Sequence, residues 1–367
     1  MNAWRGGNKF LGAAVHLVFA LALHQGMLPP HAMLPLTTSI INAENRLHAP
    51  QRYSYAAVLV AVAVGLLAPA AANWLLGPAL LAGMVLLGVA HGACDQFVVP
   101  ATHPVMAQHR GRYWAGFLGG YLGLVAAVGA LWWWQPGMAV AIFFGLTAWH
   151  WGSADAPLTR HRVQWVAHSL LRGGLIFAVP LWHRPVETQS TVNGLLTLAG
   201  AAPLDTAAIA HASAVLVPVV VLGHLLLWGC YLWQNQGDLV RTDALEVLLL
   251  TVLLVVLSPI LSGSVYFVCW HSLQHVLRMN QLMDRVPATS WRGLWTELRF
   301  FLRRSAPLLL ISLAGLALLF GMAWARTAST TALVSLTLLA ASVVTLPHAL
   351  LVTLGMDAAR WRQSSEQ

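Results

Sequence analysis

The chain has 367 residues, 58% hydrophobic and only 9% charged, against roughly 25% charged in an ordinary soluble domain, and this excludes a water-soluble globular protein. The formal charge of +8 is carried almost wholly by arginine; lying between apolar runs, these arginines fit membrane orientation and lipid headgroups rather than nucleic acid. The three cysteines, Cys94, Cys230 and Cys269, all fall inside apolar runs, so no disulfide framework is implied.

Apolar runs of bilayer-crossing length recur along the chain. They predict an all-α, polytopic transmembrane bundle of about ten helices, with a metal site between helices. Spans are expected at 10–28, 55–76, 78–99, 113–134, 137–155, 163–183, 208–233, 242–262, 264–284, 304–325 and 330–354. The first, which holds His16 and His24, also fits a signal-like or re-entrant segment. Residues 1–54 are then an N-terminal segment, 55–356 the bundle that carries the chemistry, and 357–367 a cytoplasmic tail. Segments 29–54, 184–207 and the basic 285–303 read as the longest loops.

Arginine sets the orientation. Arg285, Arg292, Arg299 and Arg303, and Arg360 and Arg362 of the tail, belong on the cytoplasmic side. Counting back through alternating spans puts Arg241, Arg160 and Arg162, Arg110 and Arg112, and Arg46 and Arg52 on that side too. The outside loop 184–207 holds one arginine, Arg184, with Glu187 and Asp205; the pattern fails at the N-terminus, where Arg5 and Lys9 would lie outside, a second mark against the first span.

Sixteen histidines are the anomaly, because ionisable groups within spans are costly and mark functional sites by default. His91 opens His91-Gly92-Ala93-Cys94-Asp95, where Asp95 at i+4 can accept the ring N–H of a ligating histidine and Gly92 and Ala93 allow close helix approach. His150 lies in Trp149-His150-Trp151-Gly152-Ser153-Ala154-Asp155, with Asp155 either supporting a ligand or solvated at the helix end. His168 and Arg172 stand at i, i+4, and the buried arginine needs a partner, Asp95 or Asp155 by depth. His271 and His275 form H-x-x-x-H, which puts two imidazoles on one helix face a turn apart. His348 follows Pro347 in the last span and reads as a further polar contact to the site. For each histidine the plain alternative is an interhelical hydrogen bond.

Depth favours ligation. Spans 78–99, 137–155 and 264–284 run the same way, and His91 and His150 lie roughly 20 Å down them at about 1.5 Å per residue. His271 and His275 lie roughly 10 and 17 Å down theirs. Four neutral ligands leave a divalent ion its full charge and open positions; that suits iron(II), with zinc the alternative. Trp149, Trp151, Tyr266, Phe267 and Trp270 are candidates to line an apolar slot for a long conjugated substrate. The H-E-x-x-H zinc motif, the P-loop and the dinucleotide fingerprint are absent.

The set His91 to Asp95, Trp149 to Asp155 and Tyr266 to His275 resembles the Brp/Blh family of membrane β-carotene 15,15′-dioxygenases. Arg172-Gly173 with Pro180 and His183, and Leu346-Pro347-His348, extend the likeness over roughly residues 80–355 in matching order. The resemblance implies a non-haem Fe(II) enzyme that splits the central double bond of β-carotene with O₂ into two all-trans retinal. It assigns the metal to His91, His150, His271 and His275, and suggests a rhodopsin as recipient of retinal. Gln274 departs from the family, which often has arginine there. Three readings compete: a bis-histidine haem protein, a non-catalytic retinal-delivery protein, and a transporter with a proton relay.

Overall fold

The computed structural model describes residues 51–357 except 103, 158, 160 and 327–329. The expected first span, the N-terminal arginines and the C-terminal tail beyond Asp357 lie outside the described residues. Everything regular among the described residues is helical.

Prolines set many of the starts. Helix α1 (Gln51–Leu67) ends where Ala68 takes a non-helical backbone (φ −141, ψ 57) ahead of Pro69, because a residue before proline is pushed out of helical geometry. This corrects the expected break near residue 77: Pro78 is absorbed within α2 (Ala72–Gly83), and the apolar run continues as one span, Pro69–Thr102. Helices α3 (Arg110–Trp134), α4 (Pro136–Asp155) and α5 (Arg162–His183) come next, with Pro136 in the first turn of α4.

Segment 184–207, expected as a loop, contains α6 (Pro185–Leu198). Pro185 starts it, Glu187 suits the positive end of its dipole, and Val192, Leu195 and Leu196 bury against Trp132, Ala139 and Val140. Then come α7 (Thr206–Trp233), capped by Asp205, α8 (Gly237–Val256), α9 (Pro259–Val265) and α10 (Leu273–Leu282). The basic segment 285–303 is a loop only at its start: α11 (Trp291–Arg326) carries Arg292, Arg299 and Arg303 on a single helix. The last helix is α12 (Thr330–Leu351).

Six of these stretches are long and apolar enough to cross a membrane: Pro69–Thr102, α3, α5, α7, Trp291–Met322 and Ala332–Met356. Large apolar side chains point outward along them; Trp74 is 84% exposed, Trp133 84% and Trp233 87%. In water such a surface would aggregate, whereas in lipid it is the natural outer face. The protein is therefore an all-α membrane bundle. Helices α4, α8 and α9–α10 carry histidine, acid, serine and aromatic residues on their buried faces.

Helix α5 runs through the interior. Its Gly173 meets α4 so closely that a Cβ would lie 1.8 Å from the Ala148 carbonyl oxygen, and one on Gly152 would lie 1.7 Å from that of Ser169. Glycine is required at both positions because backbone touches backbone. The close approach expected at Gly92 is absent, since a Cβ there meets only His348 Nδ1 at 4.0 Å.

On its other side α5 is held by charge. Arg172 pairs with Asp243 and, at 2.7 Å, with Glu246, both from α8. These are its partners, rather than Asp95 or Asp155: α8 packs along α5, and the Asp155 carboxylate is engaged by the Tyr266 hydroxyl. His168 Nε2 donates to Asp243 at 2.9 Å, Trp228 Nε1 donates to the same carboxylate at 2.6 Å, and the Tyr55 hydroxyl donates to Glu246. Asp243→Ala strips three donors of an acceptor and leaves Arg172 with one partner. It should cost about 3 kcal/mol, read as a lowered thermal midpoint of the detergent-solubilised protein, with His91, His150, His271 and His275 untouched.

Candidate metal centre

Three of the helices that carry histidines change pitch beside them. A π-helical stretch, Met84–Val89, leads into the helical turn Ala90–Gly92 that carries His91. A second, Tyr266–Ser272, contains His271 and runs into α10 with His275. A third, Val352–Met356, comes after α12, close to His348. Each π turn inserts an extra residue and rotates the side chains beyond it about the helix axis, a device frequent at functional sites. His150 comes from regular α4, two residues before the contact at Gly152.

The result is a cluster of five imidazoles, all buried. His348 lies 4.8 Å, centroid to centroid, from both His91 and His150, and 5.2 Å from His275. His271 lies 4.9 Å from His150 and 5.7 Å from His91, and His275 lies 5.3 Å from His91. The ligand nitrogens of His91, His150 and His348 all fall within 4.8 Å of one another.

Both nitrogens of His150, His271 and His275, and Nε2 of His348, lack a hydrogen-bond partner. Buried polar atoms almost always have partners, and leaving this many unsatisfied is costly. A central cation that accepts their lone pairs removes the anomaly, so the residues fit a metal. Most contacts between these rings are edge to face.

The supporting contacts differ from expectation. Asp95 does not orient His91. A short 3₁₀ turn, Asp95–Phe97, breaks the helix after Gly92, so the i+4 face is lost and the carboxylate accepts from His348 Nδ1 at 2.8 and 3.0 Å. The Tyr121 hydroxyl also donates to Asp95, at 3.2 Å. His91 Nδ1 instead lies 3.3 Å from the Leu87 carbonyl and 3.4 Å from Ser272 Oγ. Asp155 accepts from the Tyr266 hydroxyl at 2.7 Å and bonds to none of the five rings.

Of the aromatic candidates, Trp151 and Phe267 reach the centre: Trp151 lies 5.7 Å from His271, and Phe267 lies 5.5 Å from His91 and 6.0 Å from His271. Tyr266 packs on Trp151 at 5.1 Å. Trp149 faces Trp165 at 5.5 Å and donates to Thr353, while Trp270 is fully buried against Tyr55 at 5.3 Å. Gln274 contacts Ser54 Oγ at 3.4 Å, away from the histidines.

The sequence model of the family described as beta-carotene 15,15′-dioxygenase matches residues 82–356, a stretch that begins and ends with the elements carrying the five histidines. A protein of Halobacterium salinarum, described as a probable beta-carotene 15,15′-dioxygenase Blh, is 31% identical over 297 residues, covering 75% of this chain and 82% of the relative. No solved structure matches the chain. With three quarters of its length matched and five of its histidines gathered in one buried cluster, the chain belongs to the beta-carotene 15,15′-dioxygenase family and is a carotenoid-cleaving dioxygenase.

Proposed function

We propose that the protein binds Fe(II) through His91, His150, His271 and His275 and uses O₂ to split the central 15,15′ double bond of β-carotene, giving two all-trans retinal. The observation that carries this reading is the cluster of buried, unpartnered imidazole nitrogens from separate helices. Neutral nitrogen donors suit a metal that must keep its charge and exchange a ligand with a small molecule. Iron(II), when bound, supplies the electrons that activate O₂.

The chain's own contribution is positional. Rigid helices hold the four rings so that little reorganisation accompanies turnover. Trp151 and Phe267, against the rings of His271 and His91, offer flat apolar faces on which a polyene can lie. A symmetric hydrocarbon offers no polar handle, so the cleaved bond is selected by shape: the double bond held opposite the histidines is the one cut. Asp155, through Tyr266, steadies the ring that packs on Trp151. The surroundings exclude water, which protects the reactive centre. The reading also takes the protein to be a multi-pass protein of the cell membrane that takes substrate from lipid and passes retinal on, a rhodopsin being a suitable recipient.

The test is expression in a bacterium that accumulates β-carotene, with chromatography of the extracted pigments and His150→Ala as control. Retinal in the unmutated strain alone supports the reading. Orange colour kept in both strains, with the protein correctly inserted, removes β-carotene as the substrate. Trp151→Ala should keep metal binding but scatter the cleavage position, giving apocarotenals longer and shorter than retinal in the same extract; retinal as sole product would mean that Trp151 does not register the polyene.

A further inference from the structure

The four histidines of the proposed function leave one ring of the cluster unexplained. His348 comes from α12, directly after Pro347 and just before the π turn Val352–Met356. It is 5% exposed, and its ring is nearest to His91 and His150, at 4.8 Å from each. No other ring of the five, among the described residues, is hydrogen-bonded to a carboxylate.

The geometry fixes its tautomer. Asp95 lies 2.8 and 3.0 Å from Nδ1, and an ionised carboxylate is purely an acceptor, so Nδ1 carries the hydrogen. Nε2 is then a lone-pair donor; it is buried and has no partner. His348 also belongs to the group in which one ring nitrogen from each of His91, His150 and His348 falls within 4.8 Å of the others. Two imidazoles on one ion, each at about 2.1 Å, are separated by at most about 4.2 Å, so a small closure around a cation brings all three into bonding range. A carboxylate on the far nitrogen of a ring is the usual support of a metal-ligating histidine.

We propose that His348 is a fifth protein ligand of the metal and that Asp95, braced by Tyr121, is its positioning residue. This rests on the reading that the cluster holds iron. Its consequence is specific: five imidazoles on a six-coordinate ion leave a single open position for a small molecule, where four leave two.

The experiment uses the purified full-length protein in detergent, stripped of metal with a chelator and titrated anaerobically with Fe(II). Affinity comes from the titration, and the number of coordinated imidazoles from X-ray absorption at the iron edge. The unmutated protein should show five imidazoles, and His348→Ala four. Asp95→Asn should bind iron about 10–100-fold more weakly with the imidazole count unchanged. A count of four in the unmutated protein, or an unchanged count and affinity in His348→Ala, overturns the proposal and leaves the four-histidine site standing. Failure of the unmutated protein to bind iron overturns both. Where His348→Ala does not fold, the unmutated count and the Asp95→Asn affinity decide.

Discussion

Alanine at His271 or at His275 should abolish iron retention and β-carotene cleavage together. The two rings stand on one face of the π-to-α junction in Tyr266–Leu282, and His271 lies 4.9 Å from His150. On the proposed assignment, removing either deletes a metal ligand that its chain neighbours cannot replace, because Ser272 and Gln274 already contact His91 and Ser54. The bundle itself should survive, since the buried apolar cluster around Val265, Tyr266, Val268 and Trp270 is unchanged. The expected result is normal membrane yield, no iron by elemental analysis and no retinal. Either variant with full iron content and full cleavage would remove that residue from the site.

Gly152→Ala should have an effect nearly as large without touching a ligand. A Cβ there would sit 1.7 Å from the Ser169 carbonyl oxygen, and backbone cannot rotate aside as a side chain can. Helices α4 and α5 must part, and overpacking of this kind typically costs about 1–3 kcal/mol, occasionally more. His150 lies two residues away on the same helix. A displacement of about 1 Å at a reacting centre can cost about 100-fold in rate, so cleavage should fall by roughly that factor, with iron affinity reduced. Gly145→Ala, on the same helix with nothing within 4 Å of its added carbon, is the control: it should leave cleavage intact and, if anything, firm the helix by up to about 1 kcal/mol. Equal effects at the two positions would contradict the packing argument.

Much of the architecture was legible in the sequence, because bilayer solvation makes composition decisive. The helix bundle could be read from apolar run lengths, and a single direction for three spans brought His91, His150, His271 and His275 to similar depth. What the sequence concealed has local causes. Regular periodicity assigns Asp95 to the face of His91, but the 3₁₀ turn at Asp95–Phe97 and the π turns at 84–89 and 266–272 shift the register. The break at Ala68–Pro69 was readable from the proline, yet Pro78 offered an equally good signal and is absorbed within α2. Arg172 needed a carboxylate, and depth alone could not distinguish Asp95 and Asp155 from Asp243 and Glu246, because the partner depends on which helix packs against α5. The tight contact at Gly152 and Gly173 has no sequence marker beyond the glycines themselves, whose counterparts at Gly145 and Gly229 face open space. His348 was visible as a polar residue of the last span, but its place among the ligand rings depends on how α12 packs.

The most direct test of iron-dependent carotenoid cleavage uses purified protein freed of metal by chelation, supplied with β-carotene in detergent and O₂, and assayed for retinal by chromatography before and after Fe(II) is restored. Retinal is expected only after Fe(II) is added, and none with His150→Ala under the same treatment. Retinal from the chelated protein, or none from the iron-restored protein with all five histidines intact, would contradict the account.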